Sequence, residues 1–302
     1  MSRAFKLSRA LFGGVLSPFY WLMAHRYRVP GLKFRRDCAL LASRLVFGGK
    51  APLSYADIYA LIFWPMDSTR YFEFAFMWDA LSNRSFHRLL DVSSPRLFPL
   101  MLVLKNGQLR ADLINPDPAD LTVTDNFAKA LGFEKRCALH DCLISAAPFE
   151  PRSFDVVTSI SVVEHILEDK EAIRKMWEFV KPGGRLLLTV PCAAQARDEF
   201  INRNEYGLLE PDRDGFFFFQ RLYDQRSLEE RVFSIVGQPR RRVVYGEKSP
   251  GALRRTLVRK WGDPYYPSWR EPYMMGKDFC YFKDLWDLPG EGVIALEFEK
   301  SE

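Results

Sequence analysis

Five short apolar runs alternate with segments of helical periodicity between Arg88 and Pro191, and this alternation constrains the fold more than any other feature. Each run has the length and composition of a strand that is buried on both faces. Strands that alternate with helices at this spacing form a mostly parallel sheet with helices on both sides, so the predicted fold class is α/β. The predicted strands are 88–92, 109–114, 137–141, 154–160 and 185–190.

The C-terminal third adds a predicted helix over 227–236, two predicted strands over 242–245 and 293–298, and a long insertion between those strands. The insertion, residues 249–290, is dense in aromatic residues and prolines. Such a segment suits either a lid over a substrate pocket or a small core of its own, and both interpretations stay open. Its aromatic residues are Trp261, Tyr265, Tyr266, Trp269, Tyr273, Phe279, Tyr281, Phe282 and Trp286.

The first 85 residues carry few strand signals and are predicted to form several short helices, which cap a larger α/β domain over 86–302. Residues 10–24 are apolar and have basic neighbours on both sides, but they are too few to span a bilayer. This segment suits a helix packed on the rest of the protein or a helix lying on a membrane surface. Peripheral membrane contact through the N-terminus is therefore one of two open interpretations.

Charge and cysteine usage exclude several classes of protein. A formal net charge of +5 is a mild excess, and the tightest basic run, Arg240 to Arg242, is interpreted as a solvated turn rather than a nucleic-acid patch. The five cysteines form no CxxC pair and lie near no histidine cluster, which disfavours both a disulfide framework and a metal site. A reducing, cytoplasmic compartment is expected.

Polar residues fall at the predicted carboxyl ends of the first four strands, where open parallel sheets bind their ligands. The turn after Asp91 is expected to aim backbone N–H groups at a carboxylate, Asp112 to bind ribose hydroxyls, and Asp141 to accept from an adenine amino group. Aspartate also favours such turns for local reasons, so the joint placement carries the prediction. The candidate cofactor-binding residues are Asp91, Ser93, Ser94, Asp112, Leu113, Asp141, Cys142, Ser159 and Ile160.

A resemblance to a known family rests on Ser153-Phe-Asp-Val-Val-Thr-Ser-Ile-Ser-Val-Val-Glu-His-Ile166 and on Lys181-Pro-Gly-Gly-Arg-Leu-Leu-Leu-Thr-Val-Pro191. These stretches resemble the class I methyltransferases that use S-adenosylmethionine (SAM), and the resemblance covers about residues 88–191 well. It implies a seven-stranded Rossmann-like sheet whose last strand, 293–298, runs antiparallel. It also implies SAM as the cofactor and methyl transfer as the activity.

The first cofactor loop departs from the family pattern. That loop usually reads Asp/Glu-x-Gly-x-Gly, because glycine lets the backbone approach the methionine part of SAM. Here the sequence is Asp91-Val-Ser-Ser-Pro-Arg96, which contains no glycine. A relative that keeps the fold without the methyl transfer is therefore a second hypothesis.

His165 is the candidate catalytic residue, because it follows the fourth predicted strand and a base would help to deprotonate a hydroxyl acceptor. A histidine there also suits a packing role, His140 is a weaker candidate base, and Glu164 is a candidate for orienting the acceptor. The aromatic run 215–219 and the insertion are candidate walls of the acceptor pocket. The segment 67–73 resembles the polar segment at the cofactor-site entrance of several small-molecule methyltransferases.

Two functions from different classes follow. The first is transfer of a methyl group from SAM to a small-molecule or saccharide acceptor, at an oxygen atom. The second is a catalytically inactive protein that binds a partner through its cap and insertion. A nucleic-acid methyltransferase is disfavoured, since the chain lacks an Asn/Asp-Pro-Pro-Tyr motif.

Overall fold

A central β-sheet organises the protein in the computed structural model, which describes residues 3–48, 53–204, 207, 209–262 and 268–302. Two residues of the insertion named above, Tyr265 and Tyr266, lie outside this range. The strands are β1 (Arg88–Val92), β2 (Arg110–Ile114), β3 (Cys137–His140), β4 (Phe154–Ile160), β5 (Val180–Ala193), β6 (Arg197–Ile201), β7 (Phe217–Leu222), β8 (Arg241–Glu247), β9 (Phe279–Phe282) and β10 (Glu291–Glu299).

Helices pack on both faces of the sheet. Those that precede it or connect its parallel strands are α1 (Arg3–Arg26), α2 (Leu32–Gly48), α3 (Tyr55–Phe63), α4 (Arg70–Leu81), α5 (Leu97–Lys105), α6 (Pro118–Ala130) and α7 (Asp169–Phe179). A continuous helical segment before β8 comprises α8 (Gln225–Leu228), a π-helical turn (Glu229–Phe233) and α9 (Ser234–Val236). The insertion contributes α10 (Ala252–Gly262) and α11 (Glu271–Asp278).

The sheet has eight strands in the order β3-β2-β1-β4-β5-β10-β8-β9. The first five are parallel, and β10 runs antiparallel to both of its neighbours, β5 and β8. The predicted α/β class and the antiparallel last strand are thus confirmed. The predicted count of seven strands is wrong, because residues of the insertion form β9, which pairs with the edge strand β8.

Two apolar clusters lie on the two faces of this sheet. On one face Leu89 and Leu113 pack with helices of the N-terminal region, and on the other Leu90 and Ile114 pack with α7. Alternation of side chains along each strand produces this division, since successive residues point to opposite faces. Two side chains at neighbouring positions of one strand therefore lie on opposite faces of the sheet.

The N-terminal helices pack against both the sheet and the insertion. Phe34 of α2 lies edge-on to Phe74 and Trp78 of α4, and Tyr20 of α1 contacts Trp269 and Tyr273 of the insertion. Glu271 of α11 accepts a hydrogen bond from the backbone N–H of Ser68 at 2.8 Å, just before α4. Within the described part of the chain, no helix is both long and apolar enough to cross a membrane.

Gly31 is expected to be the most sensitive glycine of the N-terminal region. Its φ is +76°, and a Cβ atom there would lie 2.3 Å from the carbonyl oxygen of Tyr71 in α4. We expect Gly31→Ala to lower the free energy of unfolding by about 2 kcal/mol, through the left-handed backbone and the contact. Gly107→Ala is the matched control, since a Cβ there meets nothing within 4 Å. Equal denaturation midpoints for the two variants would contradict the prediction.

Candidate active site

The loop after β1 adopts a glycine-like backbone without containing glycine. Ser93 has a φ of +53°, in the left-handed region that glycine reaches at lower cost. The backbone N–H of Ser93 donates to the carbonyl of Ile114 at 2.8 Å, which ties the loop to the end of β2. Pro95 follows, and α5 begins at Leu97. The loop therefore turns sharply above the carboxyl end of the sheet.

Asp91 is buried beneath this loop and holds it in place. Its side chain accepts hydrogen bonds from Thr158 Oγ1 at 2.6 Å and from the backbone N–H of Ser94 at 3.1 Å, and the residue is 2% exposed. Burial raises the pKa of Asp91 to about 6 despite these hydrogen bonds. The Ser94 hydroxyl accepts from the backbone N–H of Ile160 at 3.0 Å and so closes the gap between β1 and β4.

Asp112 does not stand at the end of its strand. It is the third of the five residues of β2, and its carboxylate accepts from Arg88 Nη2 at 3.1 Å and contacts His140 Nε2 at 2.9 Å. Asp112 pairs with Leu90, whereas Asp91 pairs with Leu113, so the two carboxylates point to opposite faces of the sheet. The predicted side-by-side arrangement of the aspartates is therefore corrected.

Asn115 occupies the position past β2 that the sequence analysis gave to Asp112. Its side-chain Nδ2 donates to Asp120 Oδ2 of α6 at 2.9 Å. Asp120 also forms an ion pair with Arg96 from the loop after β1. This group of amide, carboxylate and guanidinium lies across the carboxyl ends of β1 and β2.

The other predicted cofactor residues are distributed along β2, β3 and β4. Asp141 follows β3 and is exposed, and Cys142 beside it is half-buried. Ser159 and Ile160 are the last two residues of β4 and are fully buried, and Leu113 is buried near the end of β2. The structure thus brings the loop after β1 and the ends of β2, β3 and β4 to one edge, but the assigned contacts with a cofactor stay predictions.

Helix α4 adds two residues of the segment 67–73 to this edge, and the sequence analysis assigned no separate role to either of them. The Glu73 side chain is fully buried and accepts from Thr189 Oγ1 of β5 at 2.7 Å and from the hydroxyl of Ser161, which follows β4. Arg70 Nη1 donates to the other carboxylate oxygen of Glu73 at 2.6 Å and remains partly exposed. Glu73 of the segment 67–73 thus lies at the ends of β4 and β5, and a role of this segment at the entrance of a cofactor site stays a prediction.

Glu164 lies in the same buried region, in the short helix Val163–His165. Burial raises its pKa to about 8, and the neighbouring Glu73 carboxylate acts in the same direction, while the Arg70 charge opposes the shift. Glu164 Oε2 has no hydrogen-bond partner among the described residues. At neutral pH the carboxyl group is therefore protonated and able to donate a hydrogen bond.

Strands β6 and β7 pair antiparallel in a separate two-stranded sheet, the hairpin β6–β7, and this hairpin orients His165. Its Nδ1 lies 2.6 Å from the carbonyl oxygen of Phe219, and its ring packs on the Phe219 ring. A carbonyl can only accept, so Nδ1 carries the proton and the basic lone pair is on Nε2. Nε2 lies 3.9 Å from Glu164 Oε1. This tautomer is the one a general base needs.

A buried ion-pair network fixes the hairpin that orients His165. Asp169, at the start of α7, is fully buried and accepts from Tyr223 at 2.7 Å and from Arg231 at 2.7 Å. Arg221 of β7 lies 2.7 Å from the same carboxylate and also binds Asp198 of β6. Burial acts to raise the pKa of Asp169, but the hydrogen bonds from Arg231 and Tyr223 and the charge of Arg221 lower it below its usual value. The hairpin is thereby fixed relative to the end of β4.

Together, an eight-stranded α/β sheet and a polar carboxyl edge next to an oriented histidine define a class of protein, the α/β enzymes that bind a nucleotide-like cofactor at that edge. Residues 99–188 match the model of a family described as a methyltransferase domain. This central part of the chain is therefore similar to methyltransferase domains. No group of metal-ligating side chains occurs among the described residues.

Solved structures are similar to this chain at low sequence identity. The MccD protein aligns with a TM-score of 0.51 and 13% identity, over 76% of this chain and 97% of that one. A putative sarcosine dimethylglycine methyltransferase from Galdieria sulphuraria has a TM-score of 0.49 and 15% identity, over 75% and 82% of the two chains. A geranyl diphosphate C-methyltransferase from Streptomyces coelicolor A3(2) has a TM-score of 0.48 and 15% identity, over 75% of this chain and 74% of that one. No curated protein sequence matches the chain.

Proposed function

We propose that the protein transfers a methyl group from SAM to a hydroxyl oxygen of a small-molecule or saccharide acceptor. The observation that carries the proposal is the placement of His165 beside the end of β4, with its basic nitrogen on the side of Glu164. SAM supplies an electrophilic methyl group, and the protein aligns the acceptor oxygen with it. His165 would take the hydroxyl proton at Nε2 during the transfer.

The residues along the carboxyl edge fit the groups of SAM. Arg70 is a partly exposed cation near the end of β4 and suits the carboxylate of the methionine part. Asn115 at the end of β2 suits the ribose hydroxyls, and the exposed Asp141 suits the adenine amino group. Asp91 supports the loop from beneath, where the hydrogen bond from Ser94 fixes the turn. Arg96 and Asp120 flank the ribose position.

The acceptor would lie between α4, the helix Val163–His165 and the hairpin β6–β7. Phe219 borders His165, and Phe216 and Phe200 are half exposed on the same hairpin. Aromatic faces of this kind bind rings, including the apolar faces of sugars. The protonated Glu164 is available to donate a hydrogen bond to an acceptor oxygen.

The reaction would take place in the cytoplasm, where the five free cysteines stay reduced.

Cofactor binding tests the assignment of the ribose position. We expect Asn115→Ala to weaken the binding of SAM by about tenfold, because a hydrogen bond to the ribose is lost. Asp112→Ala is expected to change the affinity less than about threefold, since Asp112 binds Arg88 and His140 within the sheet. Isothermal titration calorimetry with SAM and with S-adenosylhomocysteine measures both. A larger loss of SAM affinity in Asp112→Ala than in Asn115→Ala would instead assign the binding of the ribose to Asp112.

A catalytically inactive binding protein is the second candidate, and the glycine-free loop favours it. Ser93 carries a side chain at a positive φ, and Pro95 offers no N–H group to the cofactor. The same titration separates the two functions: binding of both ligands supports the enzyme, and the absence of binding at millimolar ligand supports the inactive protein. Incubation with SAM labelled in its methyl group, followed by a screen of hydroxyl-bearing acceptors, then tests transfer itself.

A further inference from the structure

The positive charge of the protein is concentrated in its N-terminal helices. Ten of the 43 Lys and Arg residues, but only one of the 38 Asp and Glu residues, occur in the first 50 positions, which gives this segment a net charge of +9. The remaining 252 residues therefore carry a net charge of −4, although the whole chain has +5. An asymmetry of this size directs the basic end of the molecule towards anionic partners.

Helix α1 exposes apolar side chains along one face. Val15 is 75% exposed, Phe19 56% and Leu22 67%, and the spacing of four and then three residues places them on one face of the helix. The opposite side of α1 contacts the insertion through Tyr20 and Trp269. We call the exposed residues the α1 face.

Helix α2 exposes a second face, on which basic and apolar residues alternate. Its members are Lys33, Arg36, Leu40, Arg44 and Phe47, which recur every three or four residues and are all exposed. Phe47 is 89% exposed and Leu40 52%, while Leu41 and Leu45 on the other side are buried. A helix with basic and large apolar side chains on one exposed face is typical of attachment to a lipid surface.

A cavity of about 400 Å³ lies between these helices and α4, and its lining includes His25, Arg28 and Lys33. Arg28 has a φ of +52°, and neither Arg28 nor Lys33 forms an ion pair within the described part of the chain. Asp79 is the single acidic residue of the lining. Three basic side chains around one opening suit the phosphate of a lipid headgroup.

We propose that the N-terminal helices attach the protein to the surface of an anionic lipid bilayer. The α1 and α2 faces insert their apolar side chains at the headgroup boundary, and the surrounding Lys and Arg residues bind lipid phosphates. A second copy of the chain is a poorer occupant, because it would bring two segments of +9 together. Nucleic acid is a poorer occupant too, since its backbone offers nothing to Val15, Phe19 and Leu22.

Co-sedimentation of the full chain with lipid vesicles tests the proposal. We expect binding to vesicles of equal parts phosphatidylcholine and phosphatidylglycerol, and at least about tenfold weaker binding to phosphatidylcholine alone or at high salt. Lys33→Glu with Arg44→Glu, and separately Phe19→Gln with Leu22→Gln, should each weaken binding to the anionic vesicles by about tenfold or more. Absence of wild-type binding to the anionic vesicles would overturn the proposal.

Matched double variants on other surfaces control for the change in net charge and for nonspecific hydrophobic binding to vesicles. Lys135→Glu with Lys170→Glu makes the same charge change elsewhere, and Val123→Gln with Val258→Gln removes exposed apolar residues from other helices. Both controls should bind the vesicles like the wild type, and all variants should share its circular dichroism spectrum and unfolding midpoint. Equal losses of vesicle binding in the test variants and the control variants would contradict the proposal. The proposal is also contradicted if the wild type is a dimer and the variant Phe19→Gln with Leu22→Gln is a monomer. It is contradicted as well if the wild type binds DNA and this binding is lost in the variant Lys33→Glu with Arg44→Glu and in no other variant.

Discussion

Replacing His165 by glutamine should lower the turnover number about 100-fold or more and leave the affinity for SAM unchanged. General-base catalysis contributes roughly 10²- to 10⁴-fold, and the base in our proposal is Nε2 of His165. Glutamine keeps an N–H group that can donate to the carbonyl of Phe219, which orients the histidine at 2.6 Å. It has no basic nitrogen, so the substitution removes the proton acceptor while the hydrogen bond to the hairpin remains available.

The matched control for this variant is His140→Gln. His140 is the last residue of the parallel strand β3, but its Nε2 lies 2.9 Å from Asp112 and its ring packs on Phe149. We expect His140→Gln to lower the turnover number less than about threefold, since no proton transfer depends on it. Release of S-adenosylhomocysteine with an acceptor found in the screen measures both rates. Full activity of His165→Gln would remove His165 from the mechanism.

The sequence predicted β4 correctly and missed β9, for opposite physical reasons. The run Phe154–Ile160 is rich in apolar and β-branched residues and central in the sheet, so its own composition favours a strand. Phe279–Phe282 has four residues inside an aromatic insertion, and its extended form depends on pairing with β8. That pairing belongs to a tertiary contact in which Tyr245 of β8 stacks on Phe279 and on Phe72 of α4. The local sequence pattern cannot predict a strand that depends on such tertiary contacts.

The site was less predictable than the fold. Asp112 lies two residues before the end of the predicted strand 109–114, and the structure ends β2 at the same residue, Ile114, so Asn115 is the first residue past the strand. A shift of one residue in a strand moves a side chain to the other face, so spacing alone cannot fix its position. Glu73 contacts Ser161 across 88 positions of sequence, and only the folded chain brings these residues together.

Stability should fall with rising pH in the wild type and much less in Glu164→Gln. Burial raises the pKa of Glu164 from 4.5 to about 8, so the folded protein favours the protonated carboxyl group and the unfolded chain favours the ionised one. The contribution of this group is therefore fully present below pH 4.5 and is lost as the pH rises to about 8. Within that window the loss is about 1.4 kcal/mol per pH unit.

The range from pH 6 to pH 8 isolates Glu164 from the second buried acid. The pKa of Asp91 is raised only to about 6, so most of its own contribution is already lost at that pH. Chemical denaturation at pH 6, 7 and 8 should show the advantage of Glu164→Gln over the wild type growing by about 2–3 kcal/mol in total.

Glu134→Gln serves as the control for this measurement, because Glu134 is exposed and the same substitution there alters no buried carboxyl group. Its stability should remain parallel to that of the wild type at all three pH values. A constant difference between Glu164→Gln and the wild type would show that Glu164 is ionised in the folded protein. The carboxyl group could then not donate a hydrogen bond to an acceptor, and Glu164 would instead hold a negative charge between Arg70 and Glu73.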